Sequence, residues 1–129
     1  MLVIDANVFL TAATSKQGFA PLPDRDLVGP PLLWSEARSA LHVAAWRGAI
    51  STELAGHALS VIHSGDVKER RHRHLGTDSW RIADELGWAK TYDAEYLALA
   101  SLLKSALATL DRRLYKAASQ LGIEVLTPT

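Results

Sequence analysis

The stretch that most constrains the fold is LVIDANVFL, from Leu2 to Leu10. Three aliphatic residues run straight into Asp5, and a second apolar group, Val8 to Leu10, follows Asn7. A short run that is apolar at every position suits a central parallel strand buried on both faces. Asp5 then stands where that strand ends and the chain turns towards a helix. In open α/β sheets this edge is where ligands bind, so the remaining chain is read for other carboxylates that reach it.

Apolar strands and helical periodicities alternate from there on. Asn7 to Ala13 reads as a short helix. Thr14 to Pro30 is polar and broken by Gly18, Pro21, Pro23 and Gly29, which makes it a long loop with a short strand at Asp26 to Val28. Loops of this length in compact domains are often functional or mobile. Pro31 suits the first turn of a helix carrying Leu33, Ala37, Leu41 and Ala44, stopped by Gly48. Ser51 or Thr52 caps the next helix, which ends before Gly65. Val67 to Leu75 reads as a strand despite its charges, and Thr77 or Asp78 caps a helix that Gly87 terminates.

Thr91 and Asp93 open a further helix with Leu97, Ala100 and Leu103 on its buried side. Ala106 to Leu110 is a second apolar strand, and it too runs into an acid, Asp111. A helix through Leu121 and a last strand, Ile123 to Leu126, complete the chain. The reading is one α/β domain over residues 1–129: a central parallel sheet of about four or five strands with helices on both faces.

Composition narrows the function. With 14 Lys+Arg against 14 Asp+Glu the net charge is zero, whereas a protein that holds nucleic acid mainly by neutralising phosphates is usually basic. A role on nucleic acid is therefore one of brief contact and turnover, with charge concentrated locally. There is no Cys, which excludes disulfides, thiolate metal sites and cysteine nucleophiles. No segment has the length and apolarity of a membrane span, and Asp5 interrupts the apolar run that a signal peptide needs. The expected location is the cytoplasm.

The two strands ending in Asp5 and Asp111 carry the geometric argument. If they are neighbours, their ends lie ~5 Å apart and their carboxylates share one crevice. Like charges that close raise a pKa unless a cation lies between them. Magnesium or manganese suits such a place, because hard divalent ions take a few carboxylates and keep waters for a substrate phosphate. Glu36, early in the Pro31 helix, and Asp93, in the first turn of its helix, can complete the set, since helix N-termini point to the same sheet edge. The bland alternatives are helix capping for Asp93 and Asp111 and a helix-dipole contact for Glu36. Asp5 has no comparable local structural reason, and the four together favour a site.

At these residues the sequence resembles the PIN domains, and within them the VapC-type toxins of bacterial toxin–antitoxin pairs. The blocks LVIDANVFL, WSEARSALHVAA, YDAEYLALA and ALATLDRRLYKAASQLGIEVL carry the resemblance in the family's order and cover most of the chain. It implies a three-layer α/β/α PIN-like fold and a Mg2+- or Mn2+-dependent endoribonuclease, with Asp5, Glu36, Asp93 and Asp111 as the catalytic, metal-binding acids. Asn7 and Thr109 match supporting polar positions. Where some PIN domains carry a further acid, this chain has Arg112 and Arg113, which are candidates for RNA contact. The resemblance also implies a small antitoxin partner laid across an apolar groove, and a homodimer. Trp34, Trp46, Trp80 and Trp88 divide between the core and such a groove.

Competing readings are a catalytically silent PIN-like binding module and a phosphoacceptor signalling domain. A haloacid dehalogenase-type hydrolase would need a second Asp where Asn7 stands. The basic run Lys68 to His74 reads as a charged edge strand that blocks strand-to-strand aggregation in preference to an RNA-tracking surface.

Overall fold

The computed structural model describes residues 1–128. In chain order the elements are β1 (Leu2–Ile4), α1 (Ala6–Thr14), β2 (Leu27–Gly29), α2 (Leu32–Trp46), α3 (Thr52–Ile62), β3 (Val67–Glu69), α4 (Leu75–Leu86), α5 (Tyr92–Leu103), β4 (Ala106–Ala108), α6 (Arg112–Gln120) and β5 (Val125–Leu126). The strands form one sheet, parallel throughout, in the order β3-β2-β1-β4-β5. Right-handed crossovers put the helices that follow β1 and β2 on one face and those that follow β3 and β4 on the other. Helix contacts agree: α1 packs on α2 and α3, while α5 packs on α4 and α6 and lies against β1 and β4. The result is the three-layer α/β/α arrangement expected of a PIN-like fold.

The strand order decides where a ligand can sit. After β1 the chain builds outward through β2 and β3, then returns to place β4 on the other side of β1. The order reverses between β1 and β4, and the crevice at such a switch point is where open α/β sheets bind ligands. Register pairs Leu2 with Ala106 and Ile4 with Ala108, so the two acid-bearing ends leave the sheet together. Flavodoxin-like sheets place their first strand between the second and third. Here β1 lies between β2 and β4, which removes the phosphoacceptor alternative.

The core follows from the apolar runs. Leu2, Val3 and Ile4 are buried, as are Leu107 and Ala108 opposite them. Helix α5 differs from its amphipathic neighbours: Ala94 and Tyr96 to Ala100 are all buried, the condition of a helix enclosed on every side. Gly29 lets α2 approach the sheet, because a Cβ there would stand 2.3 Å from Leu33 Cδ2 and 3.2 Å from Leu33 Cβ.

Several sequence expectations change in detail. The strand expected over Val67 to Leu75 is only Val67–Glu69; the chain then turns through residues 70–74 into α4, which starts two residues ahead of the expected Thr77 cap, at Leu75. β3 does lie at the sheet edge. His72 and His74 lie outside the strand, and the His74 N–H donates to His72 Nδ1 at the turn. The strands expected to reach Leu110 and to start at Ile123 are shorter, Ala106–Ala108 and Val125–Leu126. The long loop after α1 is pinned at Phe19, whose ring lies 6.1 Å from that of Phe9, and at buried Leu22.

Candidate metal-binding carboxylate site

Asp5, Asn7, Glu36, Asp93, Tyr96 and Asp111 line one cavity of about 220 Å3 at the carboxyl edge of the sheet. Asp5 and Asp111 arrive by the same local device. Each ends a strand segment and caps the helix that follows: Val8 N donates to Asp5 Oδ1 at 2.9 Å, and Leu114 N to Asp111 Oδ1 at 3.0 Å. The expectation that Asp5 lacks a local structural reason is therefore corrected. It is an N-cap residue, and a short acid that accepts the orphan N–H of the first turn stabilises a helix. Glu36 comes from the second turn of α2 and Asp93 from the first turn of α5, on opposite faces of the sheet.

Thr109 ties the two strand ends together. Its hydroxyl donates to Asp5 Oδ2 at 2.5 Å and accepts from the Asp111 N–H at 3.0 Å. The hydroxyl is buried, so both of its hydrogen bonds are made away from water. Tyr96 does the same for Glu36. Its buried hydroxyl donates to Glu36 Oε1 at 2.5 Å, the length of an O–H bond to a charged carboxylate. Sequence reasoning missed Tyr96. The available signal was its spacing, three residues after Asp93 on one helix and hence on the same face. It missed Glu95 as well, a half-buried acid that senses the charge of Glu36.

The acids feel one another. Burial pushes the Asp5 carboxyl above its usual range; the hydrogen bonds from Thr109 and Val8 oppose that, and the charges of Asp111 and Asp93 add to it. Glu36 is raised by burial, lowered by Tyr96 and raised again by Asp93 and Asp5. Asp93 is raised by burial and by Asp111, with Arg113 opposing. Tyr96 is held protonated, first by burial and then by the neighbouring Glu36. A cluster of carboxylates that each raise another's pKa is a place where a cation would relieve the repulsion.

The donor set fits a hard divalent ion. It consists of carboxylate oxygens alone, and the protein's own hydrogen bonds leave each of Asp5, Glu36 and Asp111 with free lone pairs. Among the described residues no three His, Asp or Glu side chains stand close enough to enclose an ion by themselves.

Of the remaining candidates, Asn7 is exposed at the cavity wall. Arg113 lies with its guanidinium 4.1 Å from the Trp88 ring centroid and its Nη1 3.7 Å from Asp93 Oδ2. Arg112 is not in the acid cavity; it lines a separate one beyond Asp111, with Tyr115. Of the four tryptophans, Trp34 packs edge-on against Phe9, Trp88 lies under Arg113, and Trp46 and Trp80 are exposed; none lines the apolar cavity between α2 and α3.

No family model matches the chain, and no curated protein matches it. Solved structures do. The chain is similar to PAE2754 from Pyrobaculum aerophilum, at 25% identity and a TM-score of 0.75, over 96% of this chain and 87% of that one. It is similar to a chain of FitAB bound to an IR36 DNA fragment, at 16% identity and a TM-score of 0.64, covering 99% and 95%. A chain of FitAcB from Neisseria gonorrhoeae gives 15% identity and 0.61, covering 98% and 96%. These likenesses extend over almost the whole chain, so the fold is shared from end to end.

Proposed function

We propose that this chain is a Mg2+- or Mn2+-dependent endoribonuclease, the toxin of a toxin–antitoxin pair. The observation that carries the reading is the meeting of Asp5, Glu36, Asp93 and Asp111 at the one crevice where the strand order reverses. A bound divalent ion would act as Lewis acid on the scissile phosphate and lower the pKa of a water for in-line attack. The chain's own part is to hold the carboxylates for that task. Thr109 fixes Asp5 against the Asp111 backbone, and Tyr96 fixes Glu36. Proton removal from the attacking water falls to a carboxylate of the set, through a hydrogen-bonded water.

The partner reading has its own support. Helices α2 and α3 bound an apolar groove of about 650 Å3, lined by Leu41, Val43, Ala55 and Leu59 among others, with Arg38 and His42 at its polar positions. Trp46 stands 84% exposed at the end of α2. An antitoxin segment with an apolar face would cover this surface, and one similar solved structure is of FitAB bound to a DNA fragment. Homodimer formation and action in the cytoplasm complete the proposal; among the described residues no helix is long and apolar enough to cross a membrane.

The purified protein should cleave RNA with magnesium or manganese, and Asp5→Asn or Asp111→Asn should lower the rate about a thousandfold, as the loss of several kcal/mol of transition-state stabilisation requires. Far-UV circular dichroism should be unchanged, because Asn caps a helix as well as Asp does. Equal cleavage in chelator would overturn the metal mechanism.

A further inference from the structure

The acid cavity does not stand alone. On one side it shares Glu36 and Asp93 with a second cavity of about 230 Å3, whose other walls are Trp88, Lys90, Tyr92 and Arg113. On the other side it shares Asp111 with a third, of about 260 Å3, which includes Arg112 and Tyr115. The three are joined through the acids they share, and each flanking cavity carries at least one cation and one aromatic residue in its lining. Arg112 and Arg113 are consecutive on α6, so they diverge by the helical rotation and line different flanking cavities.

We propose that the two flanking cavities are nucleotide subsites that hold the residues of an RNA strand on either side of the linkage to be cut. The inference rests on the ribonuclease reading for what happens in the middle, but it concerns binding. Lys90 and Arg113 at one end, and Arg112 at the other, meet phosphates; Tyr92 and Tyr115 offer ring faces on which bases stack. Tyr92 is 59% and Tyr115 46% exposed, and neither packs into the core. Aromatic faces set beside cations are the means by which proteins hold unpaired nucleotides without reading sequence. Arg113 already lies over the Trp88 ring, and its 3.7 Å approach to Asp93 is an ion pair too long for a hydrogen bond, so its N–H donors are not spent there.

This arrangement also answers the charge question. A chain with zero net charge can still engage a polyanion if its cations stand beside the reacting linkage. An acidic peptide could use the cations, but it would have no use for the exposed rings or for the carboxylates between them.

The test is binding of fluorescein-labelled oligouridylate and oligoadenylate by the full chain carrying Asp5→Asn, in chelator, followed by anisotropy. Tyr92→Ala and Tyr115→Ala should each weaken binding about five- to a hundredfold, the range of one base stack. Tyr92→Phe should bind as the parent does, since it keeps the ring. Lys90→Gln should reduce the slope of log affinity against log salt by about one. The same oligonucleotide in a duplex should bind more weakly, because its bases cannot reach the rings.

Unchanged affinity in both tyrosine variants would overturn the proposal, as would equal displacement of RNA by polyglutamate, or no RNA binding at all. The ribonuclease reading fails separately. If the wild-type chain binds RNA with the dependence described but cuts nothing with magnesium, the subsites stand and the catalytic reading falls. If it cuts RNA and Tyr92→Ala and Tyr115→Ala leave KM unchanged, the subsites fall and the catalysis stands.

Discussion

Asp5 and Asp111 occupy the same position in two copies of one local pattern, a three-residue strand followed by an acid that caps a helix, yet they experience different surroundings. Asp5 directly follows its strand and is 4% exposed, with one carboxylate oxygen on Val8 N and the other on the Thr109 hydroxyl. Asp111 is separated from Ala108 by two further residues, Thr109 and Leu110, and is half-buried, with Oδ1 on Leu114 N. The difference arises from those two extra residues, which swing the second acid outward and leave Thr109 under the first. A repeated motif thus yields one fixed, desolvated carboxylate and one that faces the solvent side of the cleft. It follows that a single anchored acid sets the position of the site and the other can adjust to what enters.

The most direct way to break this asymmetry is to remove the threonine that links the two acids. Thr109→Val keeps the side-chain shape and takes away both hydrogen bonds; groups that orient metal ligands typically cost 10–100-fold when lost. Cleavage by Thr109→Val should therefore fall by about that factor, with a matching rise in the magnesium concentration for half-maximal rate. An unchanged magnesium dependence would mean that Asp5 is positioned by its helix cap alone.

A smaller effect sharpens the comparison through stability. In chelator at neutral pH, Asp5→Asn keeps the cap and discharges a buried group, so its Tm should rise by about 4 °C. Asp111→Asn removes a charge with access to water and should stay within about 0.5 kcal/mol of wild type. Equal shifts in the two variants would show that exposure does not separate them.

The smallest expected effect is in the pH profile of the metal-free chain. Asp5, Glu36, Asp93 and Glu95 all have folded-state carboxyl pKa values above their ordinary ones, chiefly through burial. The folded state then holds these protons more tightly than the unfolded one. Their contribution is fully present below the ordinary carboxylate range and is lost as pH rises through the raised values. Tm in chelator should fall across that window, and Asp5→Asn should flatten part of the fall. Magnesium should restore Tm above it by binding the folded state.

How much of this was legible in the sequence depended on the kind of signal. The strands at Leu2 and Ala106 announced themselves as uninterrupted apolar runs, whereas their being neighbours was only a condition of the argument until the strand order supplied it. Glu36 and Asp93 were reachable because helix starts face the strand ends. What the sequence did not convey was burial at single side chains. Nothing local distinguishes Tyr96 from a core tyrosine until α2 is known to bring Glu36 opposite it. The charged run after Val67 misled: it reads as a strand despite its charges up to Leu75, but within β3 only Val67 is buried and the ladder stops at Glu69. The capping role of Asp5 is readable from its place immediately before a helix, although on sequence grounds it is assigned no local structural reason.

The bond from Tyr96 to Glu36 joins a helix of one layer to a helix of the other, above the end of the sheet. Any motion that spread the two layers would have to part it. The mouth of the cleft is thus latched by a phenol, and its gape is set before a substrate arrives. On the proposed ribonuclease reading, an entering RNA strand would meet two walls that are already joined at that point.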